Sequence, residues 1–220
     1  MDKGPTKKMT MKSSLMKASR PVRKKKITFD RFVIPCRVYG SSGPCIICLN
    51  GAHQSMAMWR SFVTFFSHDY RILLFDFPGL GQARALSGPS NLSLDEQVDI
   101  LHAVMEASQF ERDTILCTAS WGGVVALAFA ARYPHAVRRL VLGSIGTRPN
   151  PKMVETIQKG LSIDPEKRLE MAQVLLESFG QKLPENIKNR IIRQFHEMSK
   201  DSLRAFSEHG LYVLLSLIHI

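Results

Sequence analysis

An α/β fold on a mostly parallel sheet is what this sequence predicts, and three observations carry that expectation. Apolar runs at residues 45–49, 71–77, 114–119 and 137–142 have the length and composition of strands covered on both faces. Segments of helical period separate them. Turn and capping residues punctuate the junctions, as in the capping box Ser93-Leu94-Asp95-Glu96. Alternation of this kind places helices on both faces of a parallel sheet.

Taken in order, residues 27–31 and 32–39 read as two short strands forming a hairpin that leads into the sheet. The first central strand is 45–49. Residues 55–67 follow as a helix, with Met58, Phe62 and Phe65 or Phe66 at helical spacing. A second buried strand over 71–77 stops at Pro78-Gly79. The helix opened by Ser93 carries Val98, Leu101, His102 and Met105 on one side. After the strand 114–119 come two glycines and an Ala-rich helix ending at Pro134, then a fourth strand at 137–142. Residues 27–146 thus form a core, and 147–214 a helical block that would hang over the strand ends as a cap. In that block Pro149 and Pro151 break the pattern, and Asp164-Pro165 opens a helix through Leu169, Ala172, Leu176 and Phe179 to Gly180. Pro184 starts another, bearing Ile187, Ile191, Phe195 and Met198.

Composition narrows the class. The 220 residues are 45% hydrophobic and 22% charged, which excludes a disordered, collagenous or coiled-coil chain. Four cysteines are too few for a disulfide scaffold, and no apolar run is long enough to span a membrane. A soluble, cytoplasmic protein is expected. The net charge of +11 suggests nucleic acid until it is located: residues 1–26 hold ten Lys or Arg and one acid, leaving 20 bases and 18 acids over 27–220. Residues 1–26 are therefore read as a basic, disordered tail on a nearly neutral core, not as a nucleic-acid site. Within the tail, Pro21-Val22-Arg23-Lys24-Lys25-Lys26 also matches a nuclear-import or polyanion patch, and Met9, Met11 and Met16 allow a downstream start. The tail has no apolar h-region of a secretory signal; its acid-poor composition also suits an organellar presequence.

Ligands of parallel sheets sit at the carboxyl ends of strands. Thr118-Ala119-Ser120-Trp121-Gly122-Gly123 joins a strand to a helix there. A serine in that tight turn exposes its Oγ at the sheet edge, and the N–H groups that follow can stabilise an oxyanion. This is the nucleophile elbow G-x-S-x-G with Thr118 at the first glycine; the other reading is a serine that only caps the helix. Ser120 is the candidate nucleophile. Asn50-Gly51-Ala52-His53 follows the first central strand, and Ala52 is the candidate second oxyanion donor beside Trp121. Asn50, Gly51, His53 and Gly122 are expected to support the site, with His53 shaping the pocket rather than acting as base. Asp76, before Pro78-Gly79, is expected to organise its turn. Cys45 and Cys48 lie three apart on a strand, pointing to opposite faces, and no second pair completes a zinc site. Gly79-x-Gly81 is too short for a dinucleotide fingerprint. No metal or cofactor is indicated.

Asn50-Gly51, Asp76-x-Pro78-Gly79-x-Gly81, Ser120-Trp121-Gly122-Gly123 and the helical insertion together resemble the α/β-hydrolase superfamily over residues 27–214. Leu49–Ala52, Leu74–Pro78, Ser120–Gly123 and Gln181-Lys182-Leu183-Pro184 are similar to its hydroxyacyl-transferring branch, that of rhamnolipid-precursor synthase and hydroxyacyl carrier-protein transacylase. The resemblance implies a triad in the order Ser, acid, His. No carboxylate follows the fourth strand at Ser144-Ile145-Gly146, and His196 and His209 lie in the cap block. The sheet's last strands, the acid and the base are thus expected beyond residue 214, in a chain truncated at its C-terminus. Residues 215–220 match the translation of a transposon-end sequencing adapter; a genuine terminal strand is the alternative. The expected activity is a serine hydrolase acting on an ester, thioester or related acyl bond of a small, lipophilic substrate. Acyl transfer between hydroxyacyl thioesters, or a non-catalytic binding module of the same fold, are the alternatives.

Overall fold

The computed structural model describes residues 20–52, 54–88, 92–146, 150–164, 167–197, 200 and 203. Seven strands form one sheet: β1 (Arg23–Phe29), β2 (Phe32–Tyr39), β3 (Cys45–Leu49), β4 (Arg71–Phe75), β5 (Arg84–Ala85), β6 (Thr114–Ala119) and β7 (Val137–Gly143). The order is β1-β2-β4-β3-β6-β7, with the two-residue β5 added beside β2. β4, β3, β6 and β7 run parallel, and the β1–β2 hairpin joins antiparallel through β2.

Period-two alternation splits the central strands between two cores. Ile46, Cys48, Ile72, Leu74 and Cys117 meet Met56, Trp59 and Val63 on one face. Those three come from a 3-10 turn (Met56–Trp59) and the short helix α1 (Arg60–Phe66). Ile47, Leu49, Leu73, Phe75 and Leu116 face the other way, against α2 (Leu94–Ser108) and α3 (Trp121–Arg132). Ser93 caps α2 by accepting from the Glu96 N–H, and Glu96 accepts from the Ser93 N–H in return. Cys48 sits in the first core and Cys45 packs against the second, so the two thiols do point apart.

Several boundaries differ from expectation. β1 begins at Arg23, so residues 23–26 belong to the sheet and not to a tail. Four exposed basic side chains carry no alternating apolar signal, yet Arg23 and Lys25 donate to the Ser108 and Ala107 carbonyls at the end of α2. Cations are favoured at that negative helix terminus. The rest of the tail, residues 1–19, lies outside the described residues. The turn before α1 shifts the buried stripe to Met56, Trp59 and Val63, leaving Phe65 and Phe66 exposed, because a 3-10 turn rotates side chains by a larger angle per residue. On α2 the buried face is completed by Ile100 and Val104, while His102 is half-exposed and stacks on Tyr133 at 4.4 Å. β4 ends at Phe75, two residues early, since Asp76 leaves the ladder to bind loops.

After β7 come α4 (Pro151–Ser162), α5 (Arg168–Phe179) and α6 (Glu185–Glu197). Pro151 does not break the pattern: it is the first residue of α4, where no N–H bond is lost, and Asn150 caps it by accepting from Lys152 and Met153. α5 starts at Arg168 rather than at Asp164, because a turn closed by Lys167 N–H to the Asp164 carbonyl precedes it. Pro149, Pro165, Met198, His209 and residues 215–220 lie outside the described residues. Met171 and Ala172 of α5 and Phe195 of α6 share a small core with Leu203. Among the described residues no helix is long and apolar enough to cross a membrane.

Burial pushes the Cys36 thiol up to about 12 and the Cys48 thiol well above its ordinary range. Thiolate is the reactive form, so near pH ~8 these groups stay silent. Titration with a disulfide reagent should find Cys36 and Cys48 silent in the native protein, and all four thiols reactive after unfolding.

Candidate active site

From β3 the chain moves to β4 on one side, and from β6 to β7 on the other. Winding therefore reverses between β3 and β6, and the crevice at their carboxyl ends is where parallel sheets bind ligands. Asn50-Gly51-Ala52 and Ser120 stand at those two ends.

Ser120 has φ 47° and ψ −115°, a conformation that a residue with a Cβ adopts at a cost of about 1–3 kcal/mol. Its N–H donates to the Gly143 carbonyl at 2.7 Å, and its own carbonyl accepts from Gly123 N–H at 2.8 Å. The side chain is exposed and makes no capping bond to α3, which removes the reading of Ser120 as an ordinary helix cap. The strain is held by close backbone contacts. A Cβ on Gly122 would stand 2.5 Å from the Leu49 carbonyl and 2.8 Å from that of Asn50. Thr118 is tolerated because its hydroxyl donates to the Val141 carbonyl at 3.2 Å. The residue that must be small here is Gly143, whose Cβ would meet the Thr118 carbonyl at 2.8 Å.

The loop after β3 hangs on a buried polar knot. The Asn50 amide donates to Asp76 Oδ1 at 2.9 Å and to the Phe75 carbonyl at 3.3 Å, and its oxygen accepts from Trp59 Nε1 at 2.8 Å. Asp76 also accepts from the N–H groups of Met56 and Gln82. Burial raises the Asp76 pKa, and the Met56, Gln82 and Asn50 donors and Arg37 only partly offset this. Asp76 thus organises loops, as expected, and has no hydrogen bond to a histidine among the described residues.

Gly51 N–H is taken by Gln54 Oε1 at 3.0 Å, leaving the next N–H, that of Ala52, without a partner among the described residues. His53 lies outside the described residues. Trp121 donates its indole N–H to Gln97 Oε1 at 2.8 Å. Gln54 and Gln97 are supports that sequence reading passed over. A glutamine carries no positional signal, and only the fold reveals that Gln97 is buried beneath Trp121. A cleft of about 440 Å³ lies beside this edge, between α6 and the loops after β3 and β4. Among the described residues no three His, Cys, Asp or Glu converge to hold a metal, and none hydrogen-bonds the Ser120 side chain.

A sequence model of the family described as alpha/beta hydrolase fold matches residues 44–201. The chain is 26% identical over 171 residues to an (R)-3-hydroxydecanoyl-ACP:CoA transacylase of Pseudomonas aeruginosa, covering 77% of this chain and 56% of that protein. It is 34% identical over 111 residues to a 2-hydroxy-6-oxo-2,4-heptadienoate hydrolase of Pseudomonas putida, covering 49% and 39%. The chain therefore spans about half the length of these relatives or less. Among solved structures, an enol-lactonase from Burkholderia xenovorans superposes with a TM-score of 0.67 at 20% identity, over 85% of this chain and 73% of that one. A thermophilic esterase from Thermogutta terrifontis gives 0.67 at 19%, over 86% and 72%. At those identities the likeness is one of fold.

Two outcomes are expected. Gly122→Ala drives a Cβ into two carbonyls and should cost about 1–3 kcal/mol in urea denaturation, with the m-value unchanged. Asp76 has a raised folded pKa, so its contribution to stability is complete below the ordinary aspartate range and lost as pH rises through the folded value. The stability of the wild type relative to Asp76→Asn should fall over that interval, read by denaturation at several pH values.

Proposed function

The chain belongs to the alpha/beta hydrolase family, and from that premise we propose that it is a serine enzyme acting on an ester, thioester or related acyl bond. The observation that supports this most is Ser120 itself: an exposed hydroxyl held at positive φ on a strand-to-helix turn. Structure stores such strain where function uses it.

In this mechanism Ser120 Oγ attacks the substrate carbonyl. The N–H groups of Ala52 and Trp121 receive the developing oxyanion, with the amino end of α3 behind them. A base takes the Ser120 proton and returns it to the departing alcohol or thiol, so that the C–O or C–S bond breaks as the acyl-serine forms. Water then releases the acid, or a second alcohol or thiol takes the acyl group. The base in this reading is a histidine held by an aspartate, and among the described residues no histidine hydrogen-bonds Ser120. Asn50, Gly51 and Gly122 keep the two oxyanion donors in place, and His53 is given the part of shaping the pocket. Residues 150–197 act as a cap over the acyl group.

Transfer in place of hydrolysis is favoured by one observation, the similarity to a transacylase over 77% of this chain. Full-length protein supplied with an acyl thioester and an acceptor alcohol would yield transfer product in one case and free acid in the other. For either outcome, a fluorophosphonate probe should label Ser120. Ser120→Ala should abolish labelling and lower kcat by about 10³-fold or more, with the fold intact by circular dichroism. A labelled or fully active Ser120→Ala protein would overturn the assignment.

A further inference from the structure

The 440 Å³ cleft at the carboxyl-end edge of the sheet is built from two unlike walls. Met58 and Leu80, from the loops after β3 and β4, supply an apolar wall. Across from them, α6 presents Arg190 and Arg193, one helical turn apart, with Glu197 one turn further on. Neither arginine has an ion pair or side-chain hydrogen bond among the described residues, and both line the cleft. Two guanidinium groups on one wall against a single carboxylate leave the cleft cationic. Guanidinium forks suit carboxylate and phosphate oxygens.

Gln54 connects this cleft to the reacting centre. Its side chain holds Gly51 N–H at 3.0 Å, one residue before Ala52, and it also lines the cleft. The apolar wall is anchored too: the loop bearing Leu80 turns at Gly81, where a Cβ would collide with the Asp76 carboxylate. A chain entering the cleft therefore passes from a fixed apolar wall toward two arginines, at the same sheet edge as Ser120.

We infer that this cleft binds an anionic group on the substrate, a phosphate or a carboxylate carried away from the reacting acyl carbon, through Arg190 and Arg193. The inference rests on the acyl-bond reading of Ser120 and names the substrate class that reading leaves open. Glu197, the like-charged neighbour of the ligand, weakens this binding and sets its strength.

The test is equilibrium binding by calorimetry to the full-length protein, without turnover. Coenzyme A is compared with the neutral pantetheine, and glutarate with the neutral 1,5-pentanediol, which has no acyl bond to cleave. Wild type should prefer at least one anionic probe by about tenfold, with the preference falling as salt rises. Arg190→Ala and Arg193→Ala should each remove most of it, and Glu197→Gln should tighten it about two- to threefold. All three side chains are exposed, so these variants should keep the fold. Preference for coenzyme A alone assigns a phosphate, for glutarate alone a carboxylate, and for both the shared anion chemistry. Equal binding of charged and neutral probes, or arginine variants that retain the preference, would overturn the inference. Fluorophosphonate labelling of Ser120 is read separately. Anion preference without labelling removes the catalytic reading alone, and labelling without anion preference removes the cleft.

Discussion

The structure depends on one buried interaction, the hydrogen bond between Asn50 and Asp76. Both side chains are shut off from solvent at the carboxyl ends of β3 and β4. A carboxylate buried without donors would be too costly to keep. Here Asn50, Met56 N–H and Gln82 N–H all point at it, while Asn50 spends its remaining acceptor on Trp59. Four segments are thereby tied to one point: the end of β3, the turn before α1, the end of β4 and the loop around Gly81. Moving any of them would strand a buried polar atom. That is why the loop carrying Gly51 and Ala52 keeps one position relative to the sheet.

The second constraint is steric. α3 starts so close to β3 that only glycine fits at 122, and Ser120 takes a backbone conformation it would not choose in isolation. The tight packing and the strained serine have the same origin. Bringing the helix terminus up to the strand ends forces the turn to reverse within one residue. Because Gly143 provides the clearance, a threonine at 118 costs little and its hydroxyl is satisfied. A rigid edge of this kind suits positioning of an electrophile more than accommodation of many shapes.

Charge is distributed with similar economy of position. The basic run that dominates the composition is partly spent on the carboxyl end of α2, through Arg23 and Lys25. Arg132 bridges Asp95 and Asp99 across α2 and α3. Arg190 and Arg193 line an open cleft that they share with the single carboxylate of Glu197. Net charge alone says nothing about this difference, since it concerns where each cation points.

By itself the sequence determined the strand cores, the two-faced sheet, the Ser93 cap and the Ser120 turn, because each rests on neighbours within a few residues. Apolar runs, period-two alternation and a serine between a strand and two glycines are local signals. Tertiary structure alone decided which distant groups meet. Asn50 finds Asp76 across 26 residues and Trp121 finds Gln97 across 24. The arginines of α6 reach loops more than a hundred residues earlier in the chain. It also decided that Arg23–Lys26 would be a strand and that Pro151 would begin a helix, both against local appearance. An edge strand and a helix start are permitted by the partners they meet, and the identity of those partners is a property of the folded chain.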